Sequence, residues 1–228
     1  MNNQESTNSN LNSIGCFRYL DAHELAFIEE KKTRLVYLKG ETIFKQGAFA
    51  PYVLFVIDGL VKVFLQTGHQ KQLNISISQE GDFLAFSSVF GEPIYNYSAT
   101  AMKDTTICMI DKEALKELLV KNPEFALKIT SRNYKTERRY LDILHNISYR
   151  QMRGKLASTI LYLSSEDFIS NNLFQYLTRQ DIADFASITV ESTVKFLKEF
   201  EKEGLISLKT KEIMVVDLEK LRLIEKLS

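Results

Sequence analysis

A series of short apolar segments between residues 35 and 110 most strongly constrains the fold of this chain. The segments span residues 35–38, 42–44, 53–57, 60–65, 73–77, 98–102 and 106–110. Turn-forming residues separate them, and many short strands joined by closely spaced turns are typical of a small antiparallel barrel or jelly roll. Between two of the segments, Asp58-Gly59 predicts a hairpin turn, because glycine adopts positive φ without steric cost.

A different pattern begins at Pro123 and predicts a long helix that ends near Ser148. Its residues recur at three-four spacing, and those that would form a dimer seam are Leu127, Tyr134, Leu141 and Leu144. This spacing predicts either a coiled-coil seam between two chains or a face that packs on its own domain. The helix and the segment after it are also basic, with residues such as Arg132, Arg139, Arg150 and Arg153. They predict either a solvated helix face or a surface near phosphates.

The C-terminal part predicts two short helices, at residues 179–186 and 190–203, separated by Ser187-Ile188-Thr189. Thr178 is a suitable N-cap for the first helix, with Asp181 three residues on, and Thr189 is a suitable N-cap for the second. Gly204 ends the second helix, and alternating segments at 205–208 and 213–216 predict a hairpin. Helix, tight turn, helix and hairpin form the layout of a winged helix-turn-helix.

The second of these helices has the chemistry to read DNA, because a helix about 10–12 Å wide fits the major groove. The residues predicted to contact bases are Val190, Glu191, Ser192 and Lys195. A glutamate accepts a hydrogen bond from cytosine, and a lysine donates one to guanine. The residues predicted to contact phosphates are Thr178, Arg179, Thr189 and Lys198. An alternative role for Glu191 is only to compensate the helix dipole at the surface.

The order of barrel, long helix and winged helix-turn-helix resembles the Crp-Fnr superfamily of bacterial transcription factors. Two segments carry the resemblance. The first comprises residues 39–47 and 55–63, which include Lys39-Gly40-Glu41 and Asp58-Gly59. The second comprises residues 177–183, 189–197 and 201–206, which begin with Leu177-Thr178-Arg179-Gln180-Asp181. It is similar to the DNA-binding signature of the family along its length.

The resemblance implies an α+β fold with an N-terminal antiparallel β-barrel or jelly roll, a long dimerisation helix and a C-terminal winged helix-turn-helix. The expected domains are a polar tail (1–20), a sensor barrel (21–122), the dimerisation helix (123–149) and a DNA-binding domain (150–228). The implied function is that of a homodimeric regulator that binds an approximately palindromic site in double-stranded DNA, with RNA polymerase as a further partner. Its half-sites would lie about 34–36 Å apart.

The candidate ligand pocket consists of Gly91, Glu92, Tyr97 and Ser98. The family neutralises the phosphate of a cyclic nucleotide with a Gly-Glu turn followed by Arg-Ser/Thr-Ala, and here Tyr97 stands in place of the arginine. A phosphate without its charged partner costs about 1.5–3 kcal/mol or more. Control by cyclic AMP is therefore not expected, and these residues would be the scaffold of an ancestral pocket.

No cofactor, metal or catalytic residue is predicted. The two cysteines, Cys16 and Cys108, exclude a cysteine-only zinc site or a four-cysteine iron-sulfur cluster within one chain. The histidines His23, His69 and His145 leave haem as a minor hypothesis, beside another small-molecule effector. The sequence contains no Ser-His-Asp order, metal-spaced histidines or phosphate-binding glycine loop, which argues against an enzyme.

Charge balance and hydropathy restrict the classes of protein to which the chain can belong. With 29 Lys+Arg against 29 Asp+Glu, the chain is not a polybasic protein that coats nucleic acid, although a local basic surface is compatible with this balance. No signal peptide or apolar run of about 20 residues is present, so a cytoplasmic protein without a membrane partner is expected. The alternative to a DNA-binding regulator is a metabolite- or haem-sensing module that acts through protein partners.

Overall fold

The computed structural model describes residues 15–68, 71–169, 171–210 and 212–227, with the backbone alone at residues 15, 16, 133–138 and 169. Residues 1–14 of the predicted tail and His69 lie outside this description, as does the side chain of Cys16. The rest of the predicted tail differs from expectation, because Gly15–Tyr19 forms a 3-10 helix. Phe17 is fully buried there and packs edge-on against Phe55, with ring centroids 5.1 Å apart. Phe17 and Leu20 therefore belong to the core of the barrel.

The elements follow the predicted order. The strands of the N-terminal domain are β1 (Lys32–Tyr37), β2 (Thr42–Phe44), β3 (Tyr52–Asp58), β4 (Leu60–Gly68), β5 (Lys71–Gln79), β6 (Phe83–Leu84), β7 (Ser98–Ala101) and β8 (Thr105–Asp111). The helices are α1 (Ala22–Glu30), α2 (Lys112–Lys121), α3 (Pro123–Tyr149), α4 (Met152–Leu163), α5 (Glu166–Ile169), α6 (Arg179–Ala186), α7 (Val190–Lys202) and α8 (Leu218–Leu227). The C-terminal hairpin consists of β9 (Ile206–Lys209) and β10 (Glu212–Val215).

The N-terminal domain consists of two four-stranded antiparallel sheets. One has the order β1-β8-β3-β6 and the other β2-β7-β4-β5. In the first sheet Leu54 pairs with Met109, and in the second Lys62 pairs with Thr100. The predicted mixed fold with an N-terminal antiparallel barrel and a C-terminal helix-turn-helix is confirmed.

The predicted hairpin at Asp58-Gly59 is wrong, because β3 and β4 belong to different sheets. The connection is a corner that carries the chain from one sheet to the other. Gly59 has φ +123°, and a Cβ at this position would lie 2.3 Å from the Oγ1 of Thr105. Glycine is therefore required because the backbone passes directly over Thr105.

The segment after the hairpin forms α8, a helix that the sequence analysis did not predict. Its Leu221 is fully buried, and the helix packs against α4. The Nη2 of Arg150 lies 3.1 Å from the Oε1 of Glu225, which joins α8 to the segment that follows the long helix. None of the helices in the described ranges is long and apolar enough to span a membrane.

The C-terminal domain shares its apolar core with the barrel. Leu156, Phe185 and Phe200 are buried in a cluster that also contains Leu60 and Ile77 from the barrel strands. The two domains are therefore in direct contact, and this contact sets where the helix-turn-helix lies.

Candidate DNA-binding surface

Local hydrogen bonds define the helix-turn-helix. The Oγ1 of Thr178 accepts a hydrogen bond from the amide of Asp181 at 3.0 Å, and the Oδ2 of Asp181 accepts one from the amide of Thr178 at 2.8 Å. This reciprocal capping box starts α6. Ser187 turns the chain with φ +53°, and the Oγ1 of Thr189 accepts from the amide of Ser192 at 3.2 Å to start α7. Both predicted N-caps are confirmed.

The inner face of α7 is fixed by packing. Leu197 and Phe200 are buried, whereas Val194 is only partly buried. Thr193, which the sequence analysis did not single out, is also fully buried. Its hydroxyl donates to the carbonyl of Thr189 at 3.0 Å, so a polar side chain is tolerated inside.

The candidate base-contacting residues differ in exposure. Glu191 and Lys195 are exposed, whereas Val190 and Ser192 are partly buried at the start of α7. The side-chain nitrogen of Lys195 lies 4.0 Å from the Oε1 of Glu199, a distance at which an exposed pair constrains the lysine only weakly. Glu191 and Lys195 are therefore the candidates whose charged groups are accessible.

Glu191 is held in its charged form by its position at the helix start. Its own backbone amide and the Thr189 hydroxyl lower the pKa of this exposed carboxyl. At neutral pH the side chain is thus only a hydrogen-bond acceptor. An acceptor in the major groove requires a donor such as the cytosine amino group, and the same contacts also agree with dipole compensation.

The candidate phosphate-contacting residues lie at the starts of two packed helices. Thr178 and Thr189 are exposed N-caps of α6 and α7, Lys198 is exposed on α7, and Arg179 is partly buried. Helix N-termini present amide donors and positive partial charge, which suit phosphate oxygens.

Arg153 on α4 is a residue of this surface that was not among the predicted base and phosphate contacts. Its Nη2 lies 2.5 Å from the Oε2 of Glu203, and its Nη1 lies 3.5 Å from the Oε2 of Glu199. Its guanidinium also lies 5.1 Å from the centroid of the Phe200 ring. Arg153 thus compensates two carboxylates at the C-terminal half of α7. No local sequence pattern predicts this contact, because Arg153 is distant in sequence from Glu199 and Glu203.

Three of the basic residues described on α3 and the following segment form ion pairs within the protein. Arg150 pairs with Glu225, Arg153 with Glu199 and Glu203, and Arg132 with Asp82 at 3.8 Å. These three arginines are therefore paired rather than freely solvated, and a location near phosphates stays a prediction.

Polar contacts fix α6 on strand β5 of the barrel. The Nδ2 of the buried Asn74 donates to the carbonyl of Asp181 at 3.0 Å, and the Nε2 of Gln72 donates to the Oδ2 of Asp184 at 2.8 Å. The orientation of the helix-turn-helix in this structure therefore depends on the barrel.

In the described parts of α3, three leucines are exposed on the side that points away from the barrel. Leu127, Leu141 and Leu144 are 68%, 63% and 61% exposed, whereas Phe125 and Ile129 are fully buried against the barrel. The side chain of Tyr134, the remaining predicted seam residue, lies outside the description. Three exposed leucines at heptad-compatible positions form a surface that a second helix would bury.

The predicted pocket residues differ in exposure. Gly91 and Glu92 are exposed, whereas the Oγ of the buried Ser98 accepts a hydrogen bond from the amide of Gln46 at 3.0 Å. The hydroxyl of Tyr97 accepts from the amide of Ala85 at 2.6 Å, and burial raises the pKa of this hydroxyl.

Aromatic rings fill the barrel interior beside Tyr97. The Phe44 ring stacks on Tyr95 with centroids 4.2 Å apart and lies 5.6 Å from the Tyr97 ring. Burial raises the pKa of Tyr95 to about 12. These neutral side chains supply no cation for a phosphate.

The described residues contain no group of three or more His, Cys, Asp or Glu side chains arranged to hold a metal ion. Cys108 is a buried free cysteine, and burial raises the pKa of its thiol to about 11. A thiol that stays protonated is a poor nucleophile.

Comparisons with known proteins agree with this architecture. The family described as "Cyclic nucleotide-binding domain" matches residues 34–122, and the family "Crp-like helix-turn-helix domain" matches residues 154–224. The chain is 27% identical over 195 residues to the "Anaerobic regulatory protein" of Bacillus subtilis, covering 82% of this chain and 80% of that protein. It is 21% identical over 211 residues to the "CRP-like cAMP-activated global transcriptional regulator" of Mycobacterium tuberculosis, covering 91% and 94%. The structure of FixK2 from Bradyrhizobium japonicum aligns with a TM-score of 0.75 at 18% identity, covering 86% of this chain and 98% of that one.

Proposed function

The chain belongs to the Crp-Fnr superfamily of DNA-binding transcription regulators, and on this premise we propose that it acts as a homodimer that reads an approximately palindromic site through α7. The membership makes it a regulator rather than an enzyme. The proposed units are a sensor barrel at 21–122, a dimerisation helix at 123–149 and a DNA-binding domain at 150–228. Contact with RNA polymerase is part of the same proposal.

The observation that carries this proposal is that one side of α7 is buried and the other is exposed and charged. Leu197 and Phe200 anchor one side in the domain core, while Glu191, Lys195 and Lys198 leave charged groups exposed on the other. A capped helix anchored in this way is a suitable element for the major groove. Glu191 and Lys195 would specify bases, and the remaining positive groups would set the register on phosphates.

Dimerisation through α3 would supply the symmetry that a palindromic site requires. The exposed leucines at 127, 141 and 144 support this assignment, because burying each of them against a partner helix removes apolar surface from water. A two-fold axis along α3 would place two copies of α7 in successive major grooves, about 34–36 Å apart.

Control by cyclic AMP is not part of the proposal. The aromatic packing of Phe44, Tyr95 and Tyr97 in the barrel supports this view, because it offers no guanidinium to a cyclic phosphate. The Mycobacterium tuberculosis relative is described as cAMP-activated. Where the family resemblance implies an arginine that pairs with the cyclic phosphate, this chain has Tyr97.

The proposal is tested by selecting binding sites from randomised duplex DNA with the full chain, followed by footprinting of the enriched sequence. We expect protection that is symmetric about a palindrome centre and weakens as salt rises. Adding cyclic AMP to a parallel sample should leave both the affinity and the footprint unchanged. Failure to enrich any symmetric sequence would contradict the DNA-reading role, and a footprint that requires cyclic AMP would contradict the view of the barrel.

A further inference from the structure

A cavity of about 550 Å³ lies where the barrel, the long helix and the C-terminal domain meet. Strand β5 and the turn after it contribute Ser76, Ser78 and Asp82, α3 contributes Arg132 and Arg139, and α4 contributes Tyr162. The volume falls within the range of pockets that bind small molecules. The cavity is separate from Tyr97 and from the exposed face of α7.

Arg139 is the group in this cavity whose charge is least compensated. Its Nε donates to the carbonyl of Ile75 at 3.1 Å, and its guanidinium carbon lies 3.6 Å from the centroid of the Tyr162 ring. Among the described residues, no carboxylate oxygen lies within 4.0 Å of the guanidinium nitrogens. Burial lowers the pKa of Arg139, although Tyr162 and the exposed carboxylate of Asp142 oppose this shift. A partly buried charge of this kind is stabilised by a counter-ion.

The remaining charged groups of the lining do not supply that counter-ion. Asp82 lies 3.8 Å from Arg132 and also accepts a hydrogen bond from the amide of Gln79 at 3.0 Å. Glu80 and Asp167 are exposed, so their carboxylates are hydrated at the rim. The hydroxyls of Ser76 and Ser78 add hydrogen-bond donors to the lining.

The aromatic ring beneath Arg139 keeps the guanidinium plane in place. The hydroxyl of Tyr162 accepts a hydrogen bond from the amide of Ile77 at 3.0 Å, which fixes the ring against β5. A guanidinium that is stacked on one face can still form hydrogen bonds in its own plane, and two parallel bonds in that plane suit a carboxylate or a phosphate.

We propose that this cavity binds a small anion, a carboxylate or a phosphate compound, whose charge lies against Arg139 and the serine hydroxyls. Because its walls come from the barrel, α3 and the C-terminal domain, an occupant would contact all three at once. Occupancy would therefore favour the arrangement of domains seen in this structure. The site does not depend on the proposed reading of DNA by α7.

Isothermal titration calorimetry of the full chain, in a buffer without oxyanions and without DNA, tests the proposal. The probes are inorganic phosphate and citrate, with glycerol as the uncharged control. We expect saturable binding of at least one anion and none of glycerol. A response to phosphate alone assigns the phosphate class, and a response to citrate alone assigns the carboxylate class. No binding of either anion to the wild-type chain would overturn the proposal.

Variants locate the binding. Arg139→Gln should weaken anion affinity by about tenfold or more, because it removes the charge-assisted pair. Lys128→Gln removes an exposed positive charge from the same helix and should leave the affinity unchanged. Ser76→Leu keeps Arg139 but fills the cavity, so it should also abolish anion binding. This second variant tests the site even if Arg139→Gln does not fold. Wild-type affinity in either cavity variant would overturn the assignment.

Discussion

The Nζ of Lys62 lies 2.5 Å from the Oδ1 of Asp181, and this ion pair joins strand β4 of the barrel to the first helix of the helix-turn-helix. Both side chains are largely buried, with 16% and 12% exposure. The other oxygen of Asp181 accepts from the amide of Thr178 and so caps α6. One carboxylate therefore serves both the local helix start and the contact between domains.

Replacing Lys62 with methionine should lower the free energy of unfolding by about 2 kcal/mol, because Asp181 stays largely buried without its cation. Urea denaturation followed by circular dichroism measures this loss. Lys103→Met is the matched control, since it breaks a more exposed pair with Asp58 at 3.6 Å and should cost less than about 1 kcal/mol. Equal losses in the two variants would show that the Lys62 pair has no special role.

The stability that Asp181 contributes should decline in acid. Although burial opposes its ionisation, hydrogen bonds from Lys62 and Thr178 hold the pKa of Asp181 below its ordinary value of 3.8. The unfolded chain therefore binds the proton at a higher pH than the folded chain does. The stabilising contribution of Asp181 is fully present when the pH is above the ordinary pKa of 3.8. It is lost as the pH falls through the lower pKa that this carboxyl has in the folded chain. The difference in unfolding free energy between wild type and Asp181→Asn should shrink from pH 6 to pH 3, and a constant difference would refute this linkage.

Leu141→Glu should convert the proposed dimer to a monomer, because it places a charge in an apolar seam. Sedimentation velocity should show the sedimenting mass fall by about half. Lys128→Glu introduces the same side chain at an exposed position of the same helix and should leave the wild-type mass unchanged. A dimeric Leu141→Glu variant would exclude α3 as the interface.

Lys195→Ala and Lys198→Ala should weaken DNA binding in different ways. Loss of Lys195 should cost about 1–3 kcal/mol of discrimination at one base pair. Loss of Lys198 should weaken all duplexes similarly and reduce the salt slope by about 1. Fluorescence anisotropy on the selected site, its single-base variants and random DNA separates the two effects. An equal loss on specific and random DNA for Lys195→Ala would remove its base-reading role.

Arg153→Met should weaken binding to all DNA by about threefold to tenfold, because Glu199 and Glu203 would then repel phosphates without compensation. The second substitution Glu203→Gln removes one of these charges and should restore part of the affinity. Anisotropy at two salt concentrations measures both effects. If Glu203→Gln gives no recovery, charge compensation is not what Arg153 contributes.

Much of the C-terminal domain could be predicted because its signals are local. The caps Thr178 and Thr189 bond within three residues of themselves, and α6 occupies the predicted span, Arg179–Ala186. The predicted strands also lie close to the observed ones. The pairing of these strands was harder to predict from the sequence. Asp58-Gly59 has the composition of a hairpin turn, but it forms a corner between two sheets. The choice depends on Thr105, which is remote in sequence and occupies the space below Gly59.

The amino-acid sequence by itself determined the order of most elements and the starts of α3, α6 and α7, because periodicity and capping act over a few residues. The family followed from the resemblance of two segments, within residues 39–63 and 177–206. The tertiary structure alone decided which charges meet. Lys62 and Asp181 are 119 positions apart, and Arg139 meets Tyr162 rather than a carboxylate. Such pairings depend on how the barrel, α3 and the C-terminal domain pack together. No local pattern encodes them, because the partner of a buried charge is set by its spatial neighbours.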